Sequence, residues 1–472
     1  MIVKVAPYLA PYNFNLEVGE VVANLSLALQ RLKNEVVIFI PYSKDLAKLE
    51  LKPEISLLRV AMDEAEEIVE ELWLKSFSLA GDVKVYVVGD QKFFTDEPWQ
   101  GDDLLRANLF CQSVLAALEK LAIKPKVING YGWESSALPN LIQEHKYFKN
   151  TASVLTLCQD LSAVLTDQDK IKALKQGIAL ADKVVVASGR YAGELHDPHP
   201  EDVLATLLSA RQEAPIGILA GLDYKTNDPL QDELIEHNYD EGLIKERPKN
   251  KGVLQKLTKL TASEGLLLSI VGPLNHLNGG EILLAAAPGL LEQGFQLIIA
   301  GDLEVNLAKA FSKLAKEYGG AIALKPQLDH EFLHHLVAGS DLMLALSPFA
   351  SGPATDILLA LRYGCIPLVY ASGAAREIVE DYDPNREMGN GFIFEQFSAW
   401  AFFASVIRAR ELYRFPYDWG GLQENGMQAR YFWHETAKQY IDVYREAISA
   451  KQPSKKKAKQ KDDEDDDDDG EE

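Results

Sequence analysis

Short apolar runs alternate with segments that carry apolar residues at helical spacing along nearly the whole chain, and this alternation constrains the fold more than any other feature. In the first half, residues 2–5, 36–40, 55–60, 83–88, 126–129, 154–158, 183–187 and 216–222 read as strands, and 17–32, 104–121 and 171–181 as helices. The second half repeats the pattern, with strands at 266–271, 295–300, 321–324, 342–346 and 366–369 and helices at 281–291, 307–318, 331–338 and 356–363. Strands that alternate with helices predict the α/β class, here two doubly wound parallel sheets facing across a cleft. Residues 224–253 are polar and turn-rich, so the division between the halves is expected there, and 433–448 reads as one long helix.

Within that pattern, residues 266–288 (LLLSIVGPLNHLNGGEILLAAAP) read as strand, turn and helix. A parallel strand that ends at a helix N-terminus is expected to gather unpaired backbone N–H groups and the positive end of a dipole, the usual place for nucleotide phosphates. An enzyme acting on such a group would add a cation. Between Gly272 and Gly280 the only ionisable side chain is His276.

Composition narrows the field. A content of 47% hydrophobic and 25% charged residues is that of a globular protein, and 472 residues accommodate two ordinary domains. The net charge of −22 argues against a nucleic-acid surface, which needs clustered Lys and Arg. From Lys451 onward six Lys face ten Asp and Glu, a basic block then an acidic run, so residues 451–472 are expected to be disordered and to offer a protein partner a charged docking segment or simply to solubilise the chain. Cys111, Cys158 and Cys365 lie far apart, which indicates neither a zinc site nor a disulfide framework and fits a reducing compartment. The N-terminal IVKVAPYLAPY reads as a core strand and no apolar run reaches the length of a membrane span, so a cytoplasmic protein without a membrane partner is expected.

Several blocks in order, GIALADKVVVASGRYAGEL (177–195), GILAGLDYKTNDP (217–229), LLALRYGCIPLV (358–369) and NGMQARYFWHETAKQYIDVYREA (425–447), resemble bacterial glycogen synthases and plant starch synthases. That resemblance implies the GT-B architecture of retaining glucosyltransferases: a first Rossmann-like domain over 1–240 on the acceptor side, a second over 241–432 on the nucleotide-sugar side, and a helix over 433–450 crossing back to the first. It also implies a reaction in which glucose moves from ADP-glucose to an α-1,4-glucan without metal or other cofactor. Charge builds on the departing diphosphate, so the site must hold fixed donors and cations, each worth about 10²–10³ in rate.

Measured against the family motifs, this sequence departs at most charged positions. The loop K-T-G-G-L aligns with Phe14, Asn15, Leu16, Glu17 and Val18, and H-x-H-D-W-Q-T with residues 129–135, which keep Trp133 and put Tyr131 at the place of a His whose role it cannot take. T-I-H-N aligns with residues 156–159, followed by Asp160. The diphosphate clamp S-R-L-T-E-Q-K-G aligns with residues 272–279, placing Pro273 at the Arg, where even the backbone donor is lost. The catalytic Glu position falls at Ala350 or Ser351, and T-G-G-L-A-D is partly kept as Ser372, Gly373, Ala374, Ala375 and Arg376.

The expected site is therefore a cleft surface without catalytic or metal-ligating residues, assembled from Tyr131, Trp133, Asp160, Gly272, His276, Asn278, Gly279, Ser351, Gly352, Thr355, Ser372 and Gly373. Ser347, Ser351, Gly352 and Thr355 read either as a capped helix start or as an anion site. Trp99, Trp133, Tyr131 and Tyr12 read as core or as platforms for sugar faces. Asp102, Asp103 and Arg106 read as a cap with a local ion pair, or as an acceptor-groove segment, and His276, His330, His334 and His335 as solvated positions. The reading favoured is a catalytically impaired glucan-binding or regulatory scaffold. The alternative is an active transferase using ADP-glucose or UDP-glucose in a rebuilt site.

Overall fold

The computed structural model describes residues 1–12, 17–61, 69–95, 99, 103–159, 161, 164–195, 202–348 and 352–451. Among these, the first sheet has nine strands: β1 (Ile2–Val5), β2 (Val36–Pro41), β3 (Lys52–Ala61), β4 (Val69–Ser78), β5 (Lys84–Gly89), β6 (Val127–Tyr131), β7 (Ala152–Leu157), β8 (Lys183–Val186) and β9 (Ile216–Gly217). Their order is β3-β4-β5-β2-β1-β6-β7-β8-β9. From β5 to β9 every pairing is parallel, and the fully buried Val/Ile runs of β1 and β2 suit strands covered on both faces.

The second sheet has six strands: β10 (Leu267–Val271), β11 (Gln296–Ala300), β12 (Ile322–Lys325), β13 (Leu342–Ala345), β14 (Ile366–Tyr370) and β15 (Phe392–Phe394). They lie in the order β12-β11-β10-β13-β14-β15 and all pair in parallel. No helix among the described residues is long and apolar enough to cross a membrane. All three cysteines are free and buried.

Four segments depart from the sequence reading. The strand expected at 55–60 is the ten-residue β3, paired antiparallel with β4, whose sequence VEELWLKSFS gave no expectation because its charged residues interrupt the alternation. Only Ile216 and Gly217 of the strand expected at 216–222 join the sheet. Beyond them the chain peels away, since Gly221 rests against the backbone of Trp433 and Leu222 bridges to Phe432. The segment 224–253, read as turns, holds the start of a helix, Pro248–Leu257, that was missed because its buried face is mostly polar: Asn250, Lys251 and Gln255 beside Leu254. Finally, β15 and the helices Gly373–Ile378, Ala399–Tyr413 and Pro416–Gln428 fill a region that carried no expectation.

The helix Trp433–Lys451 packs on the helix Val18–Arg31 and on β7. Its Ala437, Tyr440, Val443, Tyr444 and Ala447 enter the first core. Tyr444 Oη donates to Asn129 Oδ1 at 2.7 Å and Thr436 Oγ1 to the Leu219 carbonyl at 2.9 Å, so the last element of the chain closes the face of the sheet that its first strand opened.

In the second domain, the buried helix face is anchored by one ion pair. Lys251 Nζ meets Asp341 Oδ2 at 2.6 Å and also donates to the Gly265 carbonyl, while the same carboxylate oxygen accepts from the Leu267 N–H at 2.8 Å. The pair therefore ties the helix Pro248–Leu257 to the entries of β10 and β13. Lys251→Met strands a buried carboxylate, and the expected loss is about 3–5 kcal/mol of unfolding free energy by urea titration. A loss within about 0.5 kcal/mol of wild type contradicts that assignment.

Candidate active-site cleft

Parallel strands place their carboxyl ends on one edge, and the loops leaving β10, β13 and β14 face the first domain there. They enclose an inner chamber of about 150 Å³ lined by Gly272, Pro273, Asn278, Ser347, Gly352, Asp356 and Ser372, with Glu17 of the first domain. It opens into a cleft of about 700 Å³ to which the first domain brings Tyr8, Trp99, Asp103, Trp133, Glu134, Gln159 and Lys170.

The loop after β10 is closed on itself. Asn278 Oδ1 accepts from the Asn275 N–H at 2.8 Å, Asn278 Nδ2 donates to the Pro273 carbonyl, and Asn275 Oδ1 accepts from the N–H groups of Leu277 and Asn278. The N–H groups of Gly272, Leu274 and Gly280 end on the carbonyls of Ala300, Asp302 and Asn275, and that of His276 on the Glu304 carboxylate. The expected gathering of unpaired N–H groups is thus corrected: at these seven positions the donors are consumed within the protein, four by the Asn-rich turn itself and three by residues 300–304 at the end of β11.

Carboxylates occupy the places an anion would take. A β carbon at Gly352 would lie 2.9 Å from Glu17 Oε1, so Glu17 reaches across the cleft to the second domain. Glu194 Oε2 accepts from the Gly373 N–H at 3.0 Å at the start of the helix Gly373–Ile378, and Arg190 holds Glu194 at 2.9 Å. In return the Arg190 N–H donates to Glu377 Oε2 at 2.7 Å. Burial pushes the Asp356 carboxyl up to about 6. Among the described residues lining the two chambers, Lys170 is the only Lys or Arg. It pairs with Asp103 at 3.2 Å and lies over the Trp133 ring, 4.8 Å from its centroid.

On the first-domain side, Glu134 Oε2 and Gln159 Oε1 converge over Gly132, which holds φ +75° and where any β carbon would collide with both. The two groups share a side-chain hydrogen bond, in which a protonated Glu134 donates to the Gln159 amide oxygen. Burial first, and the nearby Asp103 charge, push Glu134 up to about 8, so it keeps its proton at neutral pH.

The cleft brings together Trp133, Gly272, Asn278, Gly352, Thr355 and Ser372 of the expected set, with Asn278 acting as a turn brace and Ser372 Oγ donating to the Ser347 carbonyl. Other placements correct the reading. Tyr131 is wholly buried in the first core under the last helix, beside Lys4, because β6 turns its side chain away from the cleft. His276 points outward and pairs with Glu304, and Gly279 packs on Leu346 behind the loop. Gly373 spends its N–H on Glu194. Asp160, Ser351, Ala350, Asp102, Phe14, Asn15 and Leu16 lie outside the described residues. Asp103 pairs with Lys170 rather than serving only as a cap, and Arg106 donates to the Phe93 carbonyl. His334, read as solvated, is buried against Asp232. Glu134, Gln159 and Glu194 were within reach of the sequence, lying in stretches that carry the family resemblance; Asp356 read only as a helix start, and tertiary contact alone gives it meaning.

Residues 2–210 match the starch synthase catalytic domain and residues 227–419 match glycosyl transferases group 1. The chain belongs to the glycogen and starch synthase family. It is similar to the glycogen synthase of Moorella thermoacetica, at 27% identity over 96% of this chain and 97% of that one, and to glycogen synthase 2 of Geobacter sulfurreducens, at 27% over 96% and 99%. Its fold is that of the catalytic domain of starch synthase IV from Arabidopsis thaliana bound to ADP and acarbose (TM-score 0.84, 23% identity, 95% of this chain and 99% of that one). Sucrose-phosphate synthase of Thermosynechococcus elongatus shares it more distantly (TM-score 0.64, 16% identity, 95% and 100%).

In this synthase-family cleft the buried acid sets a pH dependence. Above the ordinary carboxyl range the unfolded chain releases the Glu134 proton while the native state holds it up to about 8. The native state then binds more protons, so this group's contribution makes stability fall as pH rises across that window, by at most about 1.4 kcal/mol per pH unit. Glu134→Gln is expected to flatten the wild-type slope between pH 5 and 8 in denaturant titrations; parallel slopes for the two proteins contradict it.

Proposed function

We propose that this member of the family binds an α-glucan in its cleft as a scaffold or regulator of polyglucan metabolism and transfers glucose poorly or not at all. The observation that carries the reading is the inner chamber. It presents Glu17 and Asp356, and no Lys or Arg among the described residues that line it. A unit charge 4 Å from a diphosphate charge interacts by about 4 kcal/mol at an effective dielectric of 20, and beside Glu17 the sign is repulsive. Leaving-group charge that lacks its donors raises the barrier further, by about 3–4 kcal/mol for each donor.

The acceptor side is better provided. Trp99 and Trp133 line the cleft with aromatic surface, the latter beneath Lys170, and Glu134 and Gln159 add polar groups. The expected result is saturable binding of maltoheptaose by calorimetry, weakened at least about tenfold by Trp133→Ala, with no glucose transfer from ADP-glucose or UDP-glucose above the buffer control. Turnover above that control overturns the scaffold reading in favour of a rebuilt transferase. Glucan that fails to bind removes the acceptor half of it.

Glu17→Gly with Pro273→Arg removes an anion from the chamber and adds a cation, and ADP affinity is expected to rise at least about tenfold. An unchanged affinity means that shape, not charge, keeps the nucleotide out.

A further inference from the structure

A cavity of about 240 Å³ lies where the chain crosses between the domains, and it shares no lining residue with either chamber of the cleft. Its walls are the C-terminal half of the helix Val18–Arg31, the outgoing crossing over residues 222–225 and the return crossing over residues 432–434, where the helix Trp433–Lys451 begins.

Two permanent cations line it, Arg31 and Lys225. Both are exposed, and among the described residues neither side chain is in an ion pair or a hydrogen bond. In a chain of net charge −22 such a pair is conspicuous, since most other cations have found a carboxylate: Arg362 pairs with Asp228, and Arg430 with Glu241. One carboxylate shares the lining, Asp223, and it accepts from the Lys225 backbone N–H at 3.1 Å. Glu435, in the first turn of the last helix, is spent on Lys438 at 3.0 Å. The positive end of that helix therefore adds to the field of the two cations.

Beside the cations stands an aromatic face. Phe432 is 50% exposed, although it sits at a crossing that is otherwise tightly bonded. Its ring lies 5.2 Å from that of Tyr224, which is fixed from behind: Arg362 and Arg430 lie 5.8 and 5.5 Å from its centroid, and its hydroxyl accepts from the Tyr431 N–H at 2.8 Å. The core has one side of Phe432 and water has the other. A ligand that satisfies both features carries a phosphate at one end and a flat ring at the other. Inorganic phosphate leaves the ring uncovered, and a neutral sugar leaves the cations unmatched. Asn24, Asp223 and His434 complete the lining with groups able to bond ribose hydroxyls.

We propose that the cavity at the crossing binds a nucleoside monophosphate, with the phosphate between Arg31 and Lys225 and the base on Phe432. The volume falls just below the roughly 300–1,000 Å³ of drug-sized sites, which suits a mononucleotide whose base rests on the ring at the rim. The proposal stands whether or not the cleft transfers glucose.

The test is calorimetry of the full-length protein with AMP, ribose 5-phosphate and inorganic phosphate. The expected result is saturable binding with AMP the tightest of the three. Arg31→Ser with Lys225→Ser, both at exposed positions, is expected to weaken AMP at least about tenfold. Phe432→Leu keeps an apolar side chain but removes the stacking face, and is expected to weaken AMP about tenfold while leaving ribose 5-phosphate unchanged. Absence of saturable AMP binding overturns the proposal, as does equal affinity for AMP and inorganic phosphate or an AMP affinity that survives the double substitution. Photolabelling of wild-type protein with 8-azido-AMP decides the same question without any variant: label is expected on the tryptic peptide 431–438, and its absence there, with label confined to peptides that carry Trp133 or Pro273, places the nucleotide in the cleft and overturns the proposal.

Discussion

Parallel pairing throughout the second sheet and from β5 to β9 of the first puts the carboxyl ends of those strands on one edge of each sheet, and most of what this molecule presents to a ligand depends on that constraint. A site built this way draws on loops far apart in sequence: Glu17 follows β1, Gln159 follows β7, Pro273 follows β10 and Ser372 follows β14. Which edges face each other is set by the crossings. The bridge between Leu222 and Phe432, the bond from the Leu222 N–H to the Tyr431 carbonyl at 2.7 Å and the bond from the Tyr431 N–H to Tyr224 Oη at 2.8 Å lock the two connections side by side. Gly221 allows this because only a residue without a β carbon lets the strands of the crossing touch.

Across that edge the domains meet through carboxylates. Glu194 on the Gly373 amide and Glu377 on the Arg190 amide form a reciprocal clasp in which each helix start is capped by an acid from the other domain. Helix N-termini favour negative charge, so the clasp is electrostatically sound. Its consequence is competitive. An amide already bonded to a fixed carboxylate is not free to hold a phosphate, and a ligand would have to displace a neighbour tethered at high effective concentration. The same logic governs the loop after β10, whose amides close on Asn275 and Asn278.

The architecture was legible because buried parallel strands are written as short apolar runs that alternate with longer stretches of helical spacing. What escaped notice is polar and buried, or charged and paired. The helix Pro248–Leu257 hides its inner face as Asn250, Lys251 and Gln255, each of which acquires a partner only in three dimensions. His334 looked solvated because its acceptor, Asp232, is far away in sequence. In the cleft the lack of cations around residues 272–280 could be read directly, since it is a property of local composition. The identity of the groups that replaced them could not, because Glu17 and Glu194 act on loops of the opposite domain. Tyr131 failed for a simpler reason: alternation along β6 decides which side a residue faces, and motif alignment does not.

The polar groups behind the hinge illustrate how this fold keeps two domains in one relation. Arg247 donates to the carbonyls of Tyr363, Val337 and Ser340, Tyr239 Oη donates to the Tyr363 carbonyl, and Tyr363 Oη reaches Asp232, which holds His334. A network of that kind contributes little net stability relative to an apolar core, yet each member is costly to leave unsatisfied, so it disfavours any packing but one. It extends from the interior of the second domain to a cavity of about 410 Å³ between the domains, where Glu20 and Asn24 of the first domain stand opposite. The geometry of the crossing is thereby tied to a rigid polar core in one domain and to a single helix of the other. That helix, Val18–Arg31, carries the last helix packed on it, so the end of the chain and the crossing share one support.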